Sequence, residues 1–216
     1  REVLNSSGLL PVFFIRCITA PVLADIEING MFLDKEVVLN VYQTALKEYS
    51  SITKVLNVIA AGVNMASPQQ VAGFLYTTLG FKETTDKKGN PIRGKPNKAF
   101  PNGQPLTDED TMSKLSASTP EQKKFLILKS TESKLRKKIT SYIERYMYAC
   151  GLEYTPITKE KNYTTVRGSC LIHGTLNQTI AQTHRLTSSN PNLQNVDRTL
   201  KRCTKGRRKG WKIRSA

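Results

Sequence analysis

The sequence predicts an α+β fold that is mainly helical, with long helices followed by the opening strands of an antiparallel sheet. Three observations carry that class. The stretches "SPQQ" and "TPEQ" each place a hydroxyl side chain before a proline and a glutamine three positions on, which is how helices begin. Apolar residues recur at three- and four-residue steps through much of the chain up to residue 148. From Thr164 to Leu186 the pattern breaks into short β-rich pieces, "TTVRGSCLIHG" and "LNQTIAQTHRL", with a turn at Gly174.

The elements follow in order. Residues 9 to 24, "LLPVFFIRCITAPVLA", have the look of a signal sequence, but Arg16 and Pro21 interrupt the run and no basic segment precedes it. An amphipathic core helix is expected there. Pro21 is placed to open a helix through Glu27, with Gly30 as its left-handed close. Asp34 caps a longer helix whose apolar face is Val38, Val41, Ala45, Tyr49, Ile52, Leu56 and Ile59, with Gly62 as its stop. Ser67, Pro68 and Gln70 then start a short helix ending at Gly80. Between Glu83 and Leu106, prolines at 91, 96, 101 and 105 and glycines at 89, 94 and 103 forbid continuous helix or sheet, leaving a long basic loop. Thr107 with Asp110 reads as a further cap rather than as part of a metal site. Thr119, Pro120 and Gln122 launch a helix to about Tyr148, on the order of 40 Å long at about 1.5 Å per residue. Its apolar stripe is Leu128, Leu135, Ile139, Tyr142 and Tyr146. At about 100° per residue, Lys134, Lys138, Ser141 and Arg145 share a basic face, either merely solvated or turned to phosphate.

Charge narrows the function. The 216 residues carry 33 Lys and Arg against 17 Asp and Glu, a formal net charge of +16, which repels itself without a polyanionic partner. The excess is clustered: nine basic residues and no acid lie between Arg198 and Arg214. Nucleic acid is the expected partner, and no membrane contact is expected. A hydrophobic content of 38% suffices for one large or two small domains. Four scattered cysteines, Cys17, Cys150, Cys170 and Cys203, indicate reduced thiols rather than a disulfide framework. Cys170 and His173 are spaced as half a metal site without a second half, so no metal ligand is assigned.

Residues 185 to 197, "RLTSSNPNLQNVD", pack an arginine, four amides and three hydroxyls onto a turn pinned by Pro191. Such forked donors suit the minor groove, where every Watson–Crick pair offers acceptors in nearly the same places whatever its sequence. Side chains reading those acceptors test pair geometry, which is what a template-copying enzyme needs at the primer end.

The run "TIAQTHRLTSSNPNLQNVDR" resembles the family A DNA polymerase pattern T-x-T-G-R-L-S-S-x-x-P-N-L-Q-N-[IV]-P-x-R. The resemblance extends to "PVLADIEINGMFLD", similar to the helix before the thumb, and "NMASPQQVAGFLYTTLGF", similar to the first thumb motif. It includes "QPLTDEDTMSKLS" near the thumb tip, "LKSTESKLRKKITSYI" on the returning thumb helix and "GWKIRSA" ahead of the first catalytic strand. It implies an N-terminal helical part of the palm at 1–40, a helical thumb at 41–160 with the basic loop at 83–106, and early palm strands with the primer-template loop at 161–216. By the same resemblance, Arg185, Asn192, Gln194 and Asn195 line the minor groove of a primer-template duplex, while Ser67, Lys134 and Lys137 contact phosphates. Asn177, Gln178, Thr183, Ser188, Ser189 and Arg198 complete the implied DNA-binding set. Two positions depart from the pattern: His184 replaces glycine, and Asp197 replaces proline, setting a negative charge near the duplex.

Nucleotidyl transfer needs paired carboxylates around two magnesium ions. After Glu160 the only acid is Asp197, so Mg²⁺ is expected in the complete enzyme on ligands outside this chain, and the fragment is expected to be inactive alone. The chain starts at Arg1 and stops at Ala216 in mid-pattern. The first hypothesis is therefore the thumb and early palm of a DNA-directed DNA polymerase, truncated or encoded as a split gene, with a carboxy-terminal polymerase fragment as candidate partner. The second is a non-catalytic duplex DNA-binding protein derived from a polymerase clamp. A basic ribosomal-type RNA binder accounts for the charge but not for the amide loop. The expected compartment is cytoplasmic, bacterial or, for a phage gene, that of the host.

Overall fold

Pro11, in the first turn of the N-terminal apolar run, launches a longer helix than its neighbours suggest. The computed structural model describes residues 2–60, 62–85, 90–96, 101–158, 163, 165–178, 180 and 185–205. Thr183, His184 and the "GWKIRSA" segment at 210–216 lie outside them. A short helix, α1 (Glu2–Ser6), precedes α2 (Leu10–Asn29). The expected start at Pro21 is thus corrected: Pro21 sits inside α2, where its missing N–H removes one intrahelical bond without ending the helix. The expectation of a core helix is corrected as well. Leu23 is buried, but Phe13, Phe14, Ile15, Ile18, Val22, Ile26 and Ile28 are exposed. Apolar residues lie on every side of α2, so one packed face cannot cover them. Among the described residues no helix is long and apolar enough to cross a membrane.

Gly30 closes α2 at φ 61°, and a Cβ there would come within 2.8 Å of His173 Nδ1 and 2.9 Å of the Ile172 carbonyl. Glycine therefore lets the chain turn directly into β1 (Met31–Leu33). The chain forms two units, one of residues 1–45 and 137–216, the other of residues 46–136.

In the first unit β1 lies between β2 (Leu171–Ile172) and a later strand at Thr204–Lys205, both antiparallel, with Met31 opposite Ile172 and Leu33 opposite Thr204. A separate antiparallel pair joins β3 (Thr175–Asn177) to β4 (Thr187–Ser189); the edge strand Thr204–Lys205 is β5. Leu33, Val38, Ile139, Ile143, Tyr146, Met147, Ile172 and Leu200 are buried and form this unit's interior. Each of these apart from Tyr146, taken from water, contributes about 1.5–3 kcal/mol. Asp34 caps α3 (Lys35–Ile59) as expected, its Oδ1 accepting from the N–H of Glu36 at 3.2 Å and of Val37 at 3.5 Å. The four cysteines are free; burial pushes the thiols of Cys150 and Cys203 up to about 12 and about 11.

In the second unit Leu56, Ala60, Met65, Val71, Leu75, Phe81, Met112 and Phe125 form one apolar cluster, with the Phe74 and Phe125 rings 5.0 Å apart. Ser67 caps α4 (Pro68–Gly73), which runs on into a π-helical turn at Phe74–Thr78 before Gly80. Only half of that capping box forms: Ser67 Oγ accepts from Gln70 N at 3.5 Å, while Gln70 Oε1 accepts from Asn64 N at 2.6 Å. In the basic loop, Arg93 grips Glu83 with two bonds of 2.8 and 2.9 Å. The next helix, α5 (Glu109–Lys114), has its cap residue at Asp108, one position later than the Thr107–Asp110 pairing predicts. At "TPEQ" the box is complete. Gln122 N donates to Thr119 Oγ1 at 3.2 Å, and Gln122 Oε1 accepts from Ser118 N and Thr119 N at 2.7 and 3.1 Å. The helix it opens, α6 (Pro120–Lys138), continues through a second π-helical turn, Ile139–Ile143, into α7 (Glu144–Ala149).

Candidate functional site

The amide-rich loop is held from inside by a serine. Ser188, on β4, is buried; its Oγ donates to the Pro191 carbonyl at 3.3 Å and accepts from Leu193 N at 3.2 Å. Asn190, left-handed at φ 54°, precedes a cis bond to Pro191. Asn192 Oδ1 accepts from the N–H groups of Gln194 and Asn195 at 3.0 and 3.3 Å, an Asx turn that spends the acceptor end of the amide on the backbone. Gln194 Nε2 donates to the Leu186 carbonyl at 2.9 Å. What remains unspent is specific: the amide nitrogen of half-buried Asn192, the side-chain carbonyl of exposed Gln194 and the side-chain amide of exposed Asn195 carry no hydrogen bond among the described residues. Arg185 and Asn195 are exposed, as is Arg198.

The long helix holds this loop at two points. From its π-helical turn, Tyr142 donates its hydroxyl to the Asn192 carbonyl at 3.1 Å, and from α6 Lys138 Nζ reaches Asp197 Oδ2 at 2.6 Å. Asp197 also caps α8 (Arg198–Lys201), accepting from Leu200 N at 2.8 Å. Burial pushes its carboxyl up, but the Lys138 hydrogen bond, the N–H groups of Leu200 and Thr199 and the lysine's charge together hold it below the ordinary aspartate range. The negative charge expected to face a duplex is therefore already matched by a lysine. A local signal existed: an aspartate just ahead of a short helical stretch is a cap pattern.

The expected basic face is corrected by the same helix. Lys134 is exposed, with a 2.9 Å contact to Glu109 that is itself largely in water, and Lys137 and Ser141 are exposed. Lys138, however, is committed to Asp197, and the guanidinium of Arg145 lies 5.2 Å from the Tyr163 ring centroid, where burial pulls its pKa down. Lys138 is drawn away by a distant partner, whereas for Arg145 the intervening π-helical turn at Ile139–Ile143 explains the error. It adds a residue to one turn, so every later side chain is rotated by about 100° from its α-helical place.

Gly174 reads from the sequence as a turn, but its second role depends on a distant segment. A Cβ at this position would come within 2.7 Å of Leu193 Cδ1 and 3.3 Å of the Pro191 carbonyl, so its bare backbone admits the loop. On β3, Asn177 Nδ2 donates to Ser189 Oγ at 3.4 Å, and the Gln178 carbonyl accepts from Arg16 at 2.6 Å. The structure thus brings Asn177, Gln178, Arg185, Ser188, Ser189, Asn192, Gln194, Asn195 and Arg198 into the first unit with Lys137, while Ser67 and Lys134 belong to the second. His173 Nδ1 bonds the Glu27 carbonyl at 2.8 Å, and among the described residues no three His, Cys, Asp or Glu side chains gather to hold a metal.

The family model for DNA polymerase family A matches residues 35–216. The chain belongs to that family. It is 29% identical over 177 residues to DNA polymerase I of Pseudomonas aeruginosa, a match covering 82% of this chain and 16% of that protein. Its fold is similar to that of the POL domain of Pol1 from M. smegmatis in complex with DNA primer-template and dNTP, at a TM-score of 0.54 and 22% identity, covering 84% of this chain and 27% of that one. The chain thus spans about a sixth of the length of that curated relative.

Proposed function

We propose that this chain is the duplex-gripping part of a DNA-directed DNA polymerase, with residues 41–160 serving as thumb and residues 1–40 and 161–216 as part of the palm. Arg185, Asn192, Gln194 and Asn195 probe minor-groove acceptors at the primer end, while Ser67, Lys134, Lys137 and Arg198 take backbone phosphates. The observation that carries this reading is the division of labour in the loop. Hydrogen bonds spent internally on Ser188, Asn192 Oδ1 and Gln194 Nε2 fix its shape, and other amide groups of Asn192, Gln194 and Asn195 are left unspent, the last two on exposed residues. Preorganised groups lose little freedom on binding, which favours contact with any correctly paired step. Asn177, Gln178 and Ser189 flank that set, Thr183 belongs to it by resemblance alone, and Ser188 acts by shaping the loop.

Nucleotidyl transfer in this family implies divalent metal, Mg²⁺ in the reading proposed here. The residues described do not fit that group: no acidic cluster forms among them to hold the ion. The carboxylates belong to a carboxy-terminal polymerase segment, joined to this chain or supplied as a second polypeptide in the cytoplasm.

Fluorescence anisotropy with a labelled primer-template duplex tests the grip. With about five phosphates contacted, log affinity falls against log salt with a slope near −4 to −5; a salt-independent affinity, or tighter binding to structured RNA, overturns the reading. Primer extension by this chain mixed with a carboxy-terminal family A fragment then separates a polymerase part from a non-catalytic clamp.

A further inference from the structure

A buried charge pair in the second unit has no part in the contacts proposed above. Lys129 and Glu132, on α6, are 4% and 2% exposed, and their Nζ and Oε2 atoms lie 2.5 Å apart. Desolvating two ions is costly, and well-packed apolar residues at such sites are often as stable or more so. The position of the pair is more informative than its energy. Lys129 Nζ also donates to the Met65 carbonyl at 2.9 Å. Glu132 is fixed in turn: its Oε1 accepts from the Tyr49 hydroxyl at 3.4 Å and lies 3.6 Å from Arg136 Nε.

Met65 stands two residues before Ser67, and the turn joining them is built from its own atoms. Ala66 N donates to Asn64 Oδ1 at 2.9 Å, Ser67 N to the Asn64 carbonyl at 3.0 Å, and Asn64 N to Gln70 Oε1 at 2.6 Å. These bonds shape the turn but do not anchor it to the helix beside it. Among the described residues, the hydrogen bond that ties this turn to α6 is the one from Lys129. The Ser67 hydroxyl accepts from Gln70 N, which leaves its proton to donate to a phosphate oxygen.

We propose that Lys129 is a positioning residue for duplex binding. Buried and out of reach of nucleic acid, it fixes the 64–67 turn and so the place of the Ser67 hydroxyl, while Glu132 keeps the ammonium aimed at the Met65 carbonyl. The inference rests on the reading of Ser67 as a phosphate contact.

The test uses the full chain and the double substitution K129M/E132Q, which removes both charges together and leaves no bare ion behind. Amide hydrogen exchange at 64–67 accelerates by about tenfold or more while exchange at Phe125 and Leu126 in the core of α6 is unchanged. Affinity for a primer-template duplex falls about three- to tenfold, S67A loses a similar factor, and the triple variant binds no more weakly than S67A, because coupled residues are not additive. Losses that multiply in the triple variant overturn the inference, as does unaltered exchange, or unaltered affinity where S67A is weakened. If S67A alone binds like the parent chain, the Ser67 contact itself is wrong and the inference falls with it. Should the double variant fail to fold, K129M alone, which removes the bond to the Met65 carbonyl and leaves Glu132 with the Tyr49 hydroxyl and Arg136, is judged by the same measurements.

Discussion

Two lysine–carboxylate pairs built on the same helix differ less in distance than in surroundings. Lys129–Glu132 and Lys138–Asp197 close to 2.5 and 2.6 Å, yet the first pair's side chains are 5% and 3% exposed and the second's 23% and 48%. In the first, burial shuts both ions off from bulk solvent, and each relies on partners within the protein: Lys129 on Glu132 and the Met65 carbonyl, Glu132 on Lys129, the Tyr49 hydroxyl and Arg136. In the second, water competes for both ions, and the contact matters for where it leads: Asp197 caps α8 and ends the amide-rich loop. Separation alone therefore says little about energy, and a weak pair can still help to place the amide-rich loop.

The comparison breaks most readily at Glu132. Glu132→Leu leaves the Lys129 ammonium buried without its carboxylate, and destabilisation of about 3–5 kcal/mol is expected, read from urea unfolding of the full chain. D197N keeps a capping side chain and gives up only a half-exposed attraction, so its loss stays within about 1 kcal/mol. Equal losses for the two variants would mean that the buried pair is solvated after all.

Next in size is Arg185→Ala. Arg185 is exposed and has no partner among the described residues, so unfolding is unaffected, while primer-template affinity falls by about 1–3 kcal/mol. A drop in stability with no drop in affinity would make Arg185 a structural residue and remove the minor-groove reading of its loop.

The helix starts were legible because capping is local. Asp34, Ser67 and Thr119 each announce their helix within four residues, and no distant partner can undo that signal. The loop was legible for a similar reason, since its amides and hydroxyls are consecutive. What escaped depends on contacts between distant segments. Periodicity treats every lysine on α6 as solvated, whereas Lys129 finds Met65 and Lys138 finds Asp197 only in the folded chain. Gly174 looked like an ordinary turn glycine until Leu193 was set against it. A π-helical turn at Ile139–Ile143 has no reliable sequence mark, and it moved Arg145 off the face that α-helical phasing assigned.

A smaller effect sharpens the solvated pair. The Asp197 carboxyl is held below its usual range against the opposing push of burial, chiefly by the Lys138 hydrogen bond. A depressed carboxylate contributes stability above the unfolded aspartate value of about 3.9, and that contribution is lost as pH falls through the lower folded value. Because the group is half exposed, the swing is at most about 1 kcal/mol. Asp34, lowered by Lys205, titrates in the same window, so the quantity to measure is the difference between the parent chain and D197N at pH 5 and pH 3. A gap that does not narrow on acidification would show that Asp197 is not ionised against Lys138.

The smallest effect asks whether a paired lysine still acts on DNA. Lys137 is exposed with no ion pair among the described residues, whereas its neighbour Lys138 is neutralised by Asp197. A lysine that meets a phosphate releases a condensed counterion, so Lys137→Ala lowers the slope of log affinity against log salt by about 1. Lys138→Ala removes a charge already matched within the protein, and its slope stays that of the parent chain even if the loop shifts and affinity drops. Titrations of both variants over a range of salt concentrations read slope and affinity separately. A reduced slope for Lys138→Ala would mean that duplex DNA draws this lysine away from Asp197, making the pair a contact that opens on binding rather than a fixed support of the loop.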